Sequence, residues 1–393
     1  MAKDLDRIER TRKALRLQHI DALVCRLPEN IVMLTGYWPM NGFAFLVFPA
    51  DQEPILIAPV PEEELAREGW VEDIRTFKWG LVDSGDPYSA IPGLLKDAAA
   101  DLGLTGKRIG YEGSFEFIAA PYVGAEPSTF SLVTLGMIEG AFGENLVDAT
   151  GLIHKLRLCK TEAEVEKLRI ANDIARMGLT AFFDAVAPGN TEIEVASAVE
   201  SAIMRGGTGY KGVKVARAWA SVMSGPRALT AYKPHLLSTQ YRLASGDIAL
   251  LELATVADGW WSDLTRTRAA GVARPEDLEK WQIVVDAQQA AIATIRPGVP
   301  SNQVDKAGRD IIEKAGMGKY FIHHTGHGLG LRYHEPEPFL HPDVTALLEP
   351  GMVSSVEPGI YIQGWGGMRC EDNILVTHTG VEVLSEFSRK LAG

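Results

Sequence analysis

The chain carries five potential metal ligands in segments whose apolar composition is typical of buried strands and tight turns. They are Glu252, Asp263, His327, Glu357 and Glu371. An unpaired carboxylate in such surroundings is strongly disfavoured unless a cation compensates its charge. We therefore expect these side chains to bind divalent metal, and carboxylate oxygens with one imidazole suit Mn²⁺, Co²⁺ or Zn²⁺.

The first pair of acids lies on a predicted hairpin. An Asp-Gly pair at 258–259 interrupts a run of strand-forming residues and favours a two-residue turn. That turn pairs Ala254 with Asp263. It leaves Glu252 on the same face, about 7–8 Å from Asp263, or nearer if a bulge shifts the register. The two acids are thus predicted to face one site.

A second predicted hairpin carries the other pair of acids. Glu357 and Glu371 flank a glycine-rich turn at 364–367, and the whole segment is typical of strand, turn and strand. Two hairpins with two acids each predict a site that holds two metal ions.

An internal repeat relates the two hairpins. Residues 188–207 align with residues 297–316 at a constant offset of 109, with six identities that include the Pro-Gly pair at the start of each. Further along, GDIALLE ends at Glu252 and GMVSSVE ends at Glu357. The C-terminal half is therefore predicted to contain two related helix-plus-hairpin units, each donating one pair of acids to a shared centre.

The motifs around these residues resemble those of the pita-bread metallopeptidases. This family includes prolidase (Xaa-Pro dipeptidase), aminopeptidase P and methionine aminopeptidase, with creatinase and ectoine hydrolase as non-peptidase relatives. One position departs from the family pattern, because Glu252 stands where the family usually has aspartate. The matching segments are SDLTRT with Asp263, TGHGLGLRYHEP with His327 and His334, VEPGIY with Glu357, and RCEDNILV with Arg369 and Glu371.

The resemblance implies a two-metal mechanism. Two cations about 3.5–4 Å apart activate a bridging hydroxide for attack on the scissile carbonyl. Glu357 takes up the proton and passes it to the leaving nitrogen. Arg369 pairs either with a metal-binding carboxylate or with the terminal carboxylate of the substrate.

The same resemblance assigns a role to each candidate residue. The expected cofactors are two divalent ions per chain, with Mn²⁺ preferred over Co²⁺ or Zn²⁺. The expected metal ligands are Glu252, Asp263, His327, Glu357 and Glu371. The expected catalytic residues are His235, His334 and Glu357, and the expected substrate-binding residues are His235, His323, Arg369 and Trp38. An ordinary loop position is the alternative for His235.

Trp38, in the aromatic segment GYWPMNGFAF, bears on the assembly. In the family that the chain resembles, the N-terminal domain of one subunit commonly reaches the active site of the other. Closed two-fold pairs are also the commonest soluble assemblies. We therefore expect a homodimer in which Trp38 narrows the partner's substrate site, with simple core packing as the alternative for this residue.

The expected fold is an α/β N-terminal domain followed by an α+β pita-bread catalytic domain with an internal pseudo-two-fold repeat. In residues 1–155, apolar strands such as 20–25 alternate with helical segments such as Asp4–Leu17. A capping-box pattern at 161–164 predicts the start of a long helix. The catalytic domain is therefore expected to span 156–393.

Composition narrows the partners and the location. The chain has 39 basic and 51 acidic residues, and the resulting net charge of −12 disfavours nucleic acid as a partner. The charged start MAKDLDRIERTRK and the lack of an eighteen-residue apolar run disfavour a secretory signal and a membrane span. Three widely spaced cysteines fit reduced thiols in a cytoplasmic protein.

The expected function is metal-dependent hydrolysis of the peptide bond that precedes proline, in dipeptides or short peptides. A first alternative is a C–N hydrolase that acts on a small non-peptide such as creatine or ectoine, which the unusual Glu252 favours. A second alternative is a catalytically inactive pita-bread binding module. The retention of all five potential ligands disfavours that reading.

Overall fold

The computed structural model describes residues 3–40, 43–114, 131–233 and 237–392. His235 therefore lies outside the described residues. The described chain forms two compact units, one ending at Arg157 and the other beginning at Leu158. Each unit has its own sheets and its own apolar core.

The N-terminal unit is built on a mixed sheet. Its described strands are β1 (Ala22–Cys25), β2 (Phe45–Pro49), β3 (Ile55–Pro59), β4 (Asp73–Phe77), β5 (Ile109–Tyr111) and β6 (Leu146–Asp148). Their order is β4-β3-β2-β1-β5-β6. The β1–β2 and β2–β3 pairs are antiparallel, and the other three pairs are parallel. β1, β2 and β3 are buried along their whole length, which explains their nearly continuous apolar sequence.

Helices surround this sheet and supply much of the apolar core. Ile91, Leu95 and Phe142 are among the fully buried side chains that cover it. The helix predicted at Asp4–Leu17 is confirmed, because the Asp4 carboxylate accepts a hydrogen bond from the Arg7 backbone N–H (3.0 Å) and caps the helix. The helices are α1 (Leu5–Leu17), α2 (Pro28–Thr35), α3 (Glu63–Arg67), α4 (Pro87–Asp101), α5 (Leu132–Phe142) and α6 (Thr150–Leu158).

The C-terminal unit contains three sheets among its described residues. Its strands are β7 (Ala216–Ser224), β8 (Ile248–Ala257), β9 (Trp260–Ala269), β10 (Gly326–Gly328), β11 (Glu335–Leu340), β12 (Val353–Val356), β13 (Gly359–Ile362), β14 (Gly366–Arg369), β15 (Asp372–Val376) and β16 (Val381–Val383). The sheets have the orders β7-β8-β9, β11-β10-β12-β15-β16 and β13-β14. The site residues come from all three.

Four long helices accompany these sheets, and the starts of two of them reflect the internal repeat. They are α7 (Glu162–Ala185), α8 (Glu192–Gly207), α9 (Pro275–Thr294) and α10 (Ser301–Lys314). α8 and α10 begin at equivalent positions of the two repeats. Each follows a Pro-Gly pair whose glycine has a positive φ, 96° at Gly189 and 82° at Gly298. Short 3₁₀ helices lie at Val60–Glu62, Tyr210–Gly212, Gly225–Thr230 and Gly318–Tyr320.

The capping box predicted at the start of α7 is confirmed. The Thr161 hydroxyl accepts from the Glu164 backbone N–H, and the Glu164 side chain accepts from the Thr161 backbone N–H. α8 begins with an equivalent box at Thr191 and Glu194. None of the helices in the described ranges is both long enough and apolar enough to cross a membrane.

The β8–β9 hairpin has the predicted register. Ala254 pairs with Asp263 and Ala257 with Trp260. The turn residues Asp258 and Gly259 both have positive φ, 46° and 89°, as a two-residue hairpin turn requires. The acids of this hairpin therefore share one face of the sheet.

The second pair of acids lies at one end of the β12–β15 ladder. Val356 pairs with Asp372 in β12 and β15, so Glu357 directly follows β12 and Glu371 directly precedes β15. The hairpin between them has a shorter turn than predicted, because Gly366 already pairs with Ile362. A Cβ at Gly367 would lie 2.3 Å from the Ala228 carbonyl oxygen, so this part of the glycine run serves close strand packing.

Candidate metal centre

β10 places His327 at the centre of the site. A Cβ at Gly326 would lie 2.0 Å from the Ser355 carbonyl oxygen, and one at Gly328 would lie 1.9 Å from the Glu337 carbonyl oxygen. Only glycine permits such close neighbours on both sides of the histidine. The GHG sequence thus allows the close backbone packing beside His327 that its glycines predict.

The hydrogen bonds of His327 define its tautomer. Nδ1 lies 2.9 Å from the Gly328 carbonyl oxygen, which can only accept, so the ring proton is on Nδ1. The Nε2 lone pair then faces Asp263 Oδ2 at 3.3 Å and Glu357 Oε1 at 3.5 Å. Burial lowers the pKa of His327 to about 4, so the imidazole stays neutral. A cation placed between these three atoms would contact the lone pair and both carboxylate oxygens.

The second hairpin supplies Glu357 and also Glu371, and both acids are buried. Burial and the nearby Glu371 raise the pKa of Glu357 well above its usual value. Burial also raises the pKa of Glu371. One oxygen of Glu371, Oε2, accepts a hydrogen bond from the Thr265 hydroxyl (2.7 Å). The other, Oε1, is buried without a hydrogen-bond partner among the described residues.

The structure brings all five predicted ligands together. Their ligand atoms form three overlapping groups, each within 4.8 Å. The groups are His327 with Glu357 and Glu371, Glu252 with Asp263 and Glu371, and Asp263 with His327 and His334. Neutral imidazole and carboxylate oxygens are suitable donors for Mn²⁺, Co²⁺ or Zn²⁺. The residues present therefore fit a divalent cation.

Glu252 differs from the other acids because protein donors surround it. Its Oε2 forms a buried ion pair with Arg369 and lies 3.2 Å from the Thr265 hydroxyl. Its Oε1 accepts a hydrogen bond from the Tyr333 hydroxyl (2.5 Å). The same hydroxyl lies 2.8 Å from Asp263 Oδ1.

Arg369 is buried beside the acids, and its other donors are also engaged. Nε donates to the Thr265 hydroxyl (2.8 Å), and Nη1 donates to the Ala231 carbonyl (3.1 Å) and the Tyr361 hydroxyl (3.2 Å). Of the two roles expected for Arg369, this arrangement favours pairing with a metal-site carboxylate over binding the terminal carboxylate of a substrate.

The remaining predicted residues differ in position. His334 is half-buried, with Nε2 3.8 Å from Asp263 Oδ2 and its ring centroid 4.3 Å from that of His327. His323 contacts Tyr361 rather than the acids, with its Nε2 3.0 Å from the Tyr361 hydroxyl. Trp38 follows α2 in the N-terminal unit and is half-buried. The expected role of His235 falls outside the described residues.

Among the residues that contact the acids, sequence reasoning missed Thr265, His324 and Tyr333. His324 Nε2 lies 3.6 Å from Glu357 Oε1, although the sequence left this histidine unassigned. Tyr333 touches two of the acids, yet a tyrosine in a loop carries no signal of such a contact. Its position directly before His334 was the available clue.

Comparisons with known proteins agree with this architecture. Metallopeptidase family M24 matches residues 166–378, and the creatinase/prolidase N-terminal domain matches residues 7–159. An Xaa-Pro dipeptidase from Lactobacillus helveticus is 32% identical over 371 residues, which are 93% of this chain and 92% of that protein.

Solved structures give the same result. An Xaa-Pro dipeptidase from Bacillus anthracis has a TM-score of 0.79 at 28% identity, with 99% of both chains covered. An X-Pro aminopeptidase from Thermotoga maritima MSB8 has a TM-score of 0.80 at 25% identity, with 97% of this chain and 100% of that chain covered.

The fold and the histidine–carboxylate cluster together define a hydrolase of the pita-bread class. The chain belongs to metallopeptidase family M24 and carries the creatinase/prolidase N-terminal domain of that family.

Proposed function

We propose that the protein hydrolyses the peptide bond before proline in dipeptides or short peptides and that it depends on divalent metal. The observation that carries this proposal is the His327 lone pair, which faces the carboxylates of Asp263 and Glu357. The names of relatives that align over nearly the whole chain support the choice of substrate, since two of them are Xaa-Pro dipeptidases and one is an X-Pro aminopeptidase.

The metal is proposed to bind through His327, Glu357, Glu371 and Asp263, with Mn²⁺ preferred over Co²⁺ or Zn²⁺. When bound, such an ion supplies Lewis-acid polarisation of the scissile carbonyl and lowers the pKa of water. The two-ion centre expected from the sequence requires Glu252 as a ligand of the second ion.

The side chains around the centre are proposed to transfer the proton and to bind the substrate. Glu357 is proposed to take the proton from the attacking water and deliver it to the leaving nitrogen, because its carboxylate lies among the proposed ligands of the ion. His334 is proposed to donate a hydrogen bond to the substrate carbonyl oxygen as negative charge develops there. His235 is proposed to assist in the same way, and His323 to support the substrate side of the site.

A panel of small substrates tests the function. Ala-Pro should be hydrolysed by the Mn²⁺-loaded protein with a kcat/KM at least about 10²-fold above that for Ala-Ala, because proline recognition discriminates in the transition state. Ala-Pro-Ala measures the relative weight of aminopeptidase activity. Turnover of creatine or ectoine in place of all three peptides would contradict the proposal and favour a C–N hydrolase.

A further inference from the structure

The two sides of the metal centre differ in how their charges are compensated. On the His327 side, the Nε2 lone pair lacks a donor among the described residues. Oε1 of Glu371 also lacks one, and Glu371 belongs to both sides. On the Glu252 side, each oxygen of the Glu252 carboxylate already has a protein donor, Arg369 for Oε2 and Tyr333 for Oε1. The unpartnered imidazole nitrogen therefore favours a cation on the first side, whereas the protein already compensates Glu252 on the second.

The hydroxyl of Tyr333 contacts the two carboxylate oxygens that would bind a second ion. It is 2.5 Å from Glu252 Oε1 and 2.8 Å from Asp263 Oδ1. An ion bound to both acids would sit about 2.0–2.2 Å from each of these oxygens. The Tyr333 hydroxyl supplies the proton in these contacts, because a carboxylate oxygen can only accept, and its single proton serves one of the two acids at a time.

Packing holds the Tyr333 ring in this place. The side chain is buried, and its centroid lies 5.9 Å from that of Trp261 and 4.4 Å from that of His334. A rotation that withdrew the hydroxyl would disturb both contacts.

Arg369 is held as firmly as Tyr333. Its guanidinium donates to Thr265, Ala231 and Tyr361 as well as pairing with Glu252. To bring Glu252 fully onto a second ion, the chain would have to remove a buried arginine from its counter-ion, which is strongly disfavoured.

We propose that the centre is mononuclear, and that the Arg369 guanidinium and the Tyr333 hydroxyl take the place of a second ion. One ion binds to His327, Glu357, Glu371 and Asp263. Glu252 is a positioning residue, which holds Arg369 and Tyr333 against the site rather than binding metal. This inference rests on the metal centre of the proposed function and specifies its nuclearity.

The number of bound ions tests the inference without reference to activity. The protein is stripped with a chelator and dialysed against excess Mn²⁺, and the ions per chain are measured by elemental analysis. We expect one ion per chain in the parent and one in Glu252→Gln. The His327→Ala variant should bind no ion. The double variant Glu252→Asp/Tyr333→Phe, which withdraws the carboxylate from Arg369 and deletes the hydroxyl, should bind two.

Tyr37→Phe is the matched control, because it removes another buried phenol that donates to a carboxylate, Glu62, at 2.6 Å in the N-terminal unit. Its ion count should equal that of the parent. Near-UV circular dichroism establishes that each variant is folded. If Glu252→Gln does not fold, the ion count of the double variant still tests the inference.

Two ions in the parent would overturn the inference and leave the proposed function standing. A folded Glu252→Gln variant that loses its ion, or a double variant that still binds one, would also overturn it. A parent chain that binds no ion would instead contradict the metal dependence of the proposed function.

Discussion

At the scale of single residues, the site depends on two histidines that are close in space but differ in their surroundings. His327 is buried and directs Nε2 at two carboxylates. His334 is half-buried, and its shortest approach to an acid is 3.8 Å, to Asp263. The first position suits a ligand and the second suits a donor to substrate.

Replacement of each histidine should separate these roles. His334→Ala should lower kcat for Ala-Pro by about 10²–10³-fold, the usual effect of losing one donor to a developing oxyanion, while the Mn²⁺ content stays at the parental value. His327→Ala should lose the ion itself. His378, which is exposed, provides the control, and His378→Ala should change neither quantity. A His334→Ala protein without metal would reverse the two assignments.

The convergence of the acids with His327 was predictable from single residues, because a charged group in an apolar strand indicates a partner that compensates its charge. Tyr333 was not, since an aromatic residue in a loop is unremarkable until the fold brings it to Glu252 and Asp263. The pairing of Arg369 with Glu252 needed the structure for the same reason. The partners lie on different strands, β14 and β8, and their contact depends on how two sheets meet.

At the scale of elements, β10 depends on its glycines. Gly328→Ala would place a methyl group 1.9 Å from the Glu337 carbonyl oxygen and force β10 and β11 apart. Overpacking of this kind costs about 1–3 kcal/mol in free energy of unfolding, and it should also weaken Mn²⁺ binding because His327 lies in the same strand. Urea denaturation and metal titration provide the measurements.

Gly380→Ala is the matched control for this strand, because nothing lies within 4 Å of its added Cβ. Its stability should remain within about 0.5 kcal/mol of the parent. If Gly328→Ala is as stable as Gly380→Ala and binds metal equally well, the close packing of β10 does not position His327.

A second element is held by a buried acid. Glu112, just after β5, accepts hydrogen bonds from the backbone N–H groups of Arg26 (2.7 Å) and Leu27 (2.9 Å) and from the Asn30 amide (2.7 Å). Leu27 is the N-cap of α2 and has no capping side chain, so Glu112 caps this helix from another part of the unit.

Burial raises the pKa of Glu112 from 4.5 to about 7. Since the folded pKa is the higher one, the contribution of this residue to stability is fully present below about pH 4.5 and is lost as the pH rises through 7. Relative to Glu112→Gln, the parent should lose on the order of 2–3 kcal/mol of unfolding free energy between about pH 5 and 8. Urea denaturation of both proteins at each pH measures it. A constant difference would exclude titration of Glu112 in this range.

The ends of strands were predictable where the residues of the turn themselves determine its conformation. The Asp-Gly pair at 258–259 set the β8–β9 register through its own positive φ angles. The turn at 364–367 was predicted too long, because Gly366 and Gly367 are required by the carbonyl groups of Gly225 and Ala228. Those neighbours are more than a hundred residues away in sequence, so no local pattern could reveal them.

At the scale of the whole molecule, the internal repeat predicted how the catalytic half of the chain is organised. The matched starts of α8 and α10 followed from the constant offset of the repeat, and the paired acids followed from the parallel segments that end at Glu252 and Glu357. The arrangement of two copies of the chain has no comparable signal within a single chain, and the homodimer therefore stays a prediction.

If the protein is a homodimer, light scattering should return twice the chain mass of 42.7 kDa. If Trp38 narrows the partner's substrate site, Trp38→Ala should raise KM for Ala-Pro while the fold and the dimer persist. Trp70, another half-buried tryptophan of the N-terminal unit, is the control, and Trp70→Ala should leave KM unchanged. A fully active monomer, or equal KM values for both variants, would refute the shared site.

Metal-dependent hydrolysis is tested most directly by measuring Ala-Pro turnover in one preparation before metal removal, after removal with a chelator and after return of Mn²⁺. We expect activity to fall to background in the stripped protein and to recover as the ion is restored. The His327→Ala protein should stay inactive at every Mn²⁺ concentration. A stripped chain that contains no metal by elemental analysis and still hydrolyses Ala-Pro at the original rate would contradict metal-dependent hydrolysis.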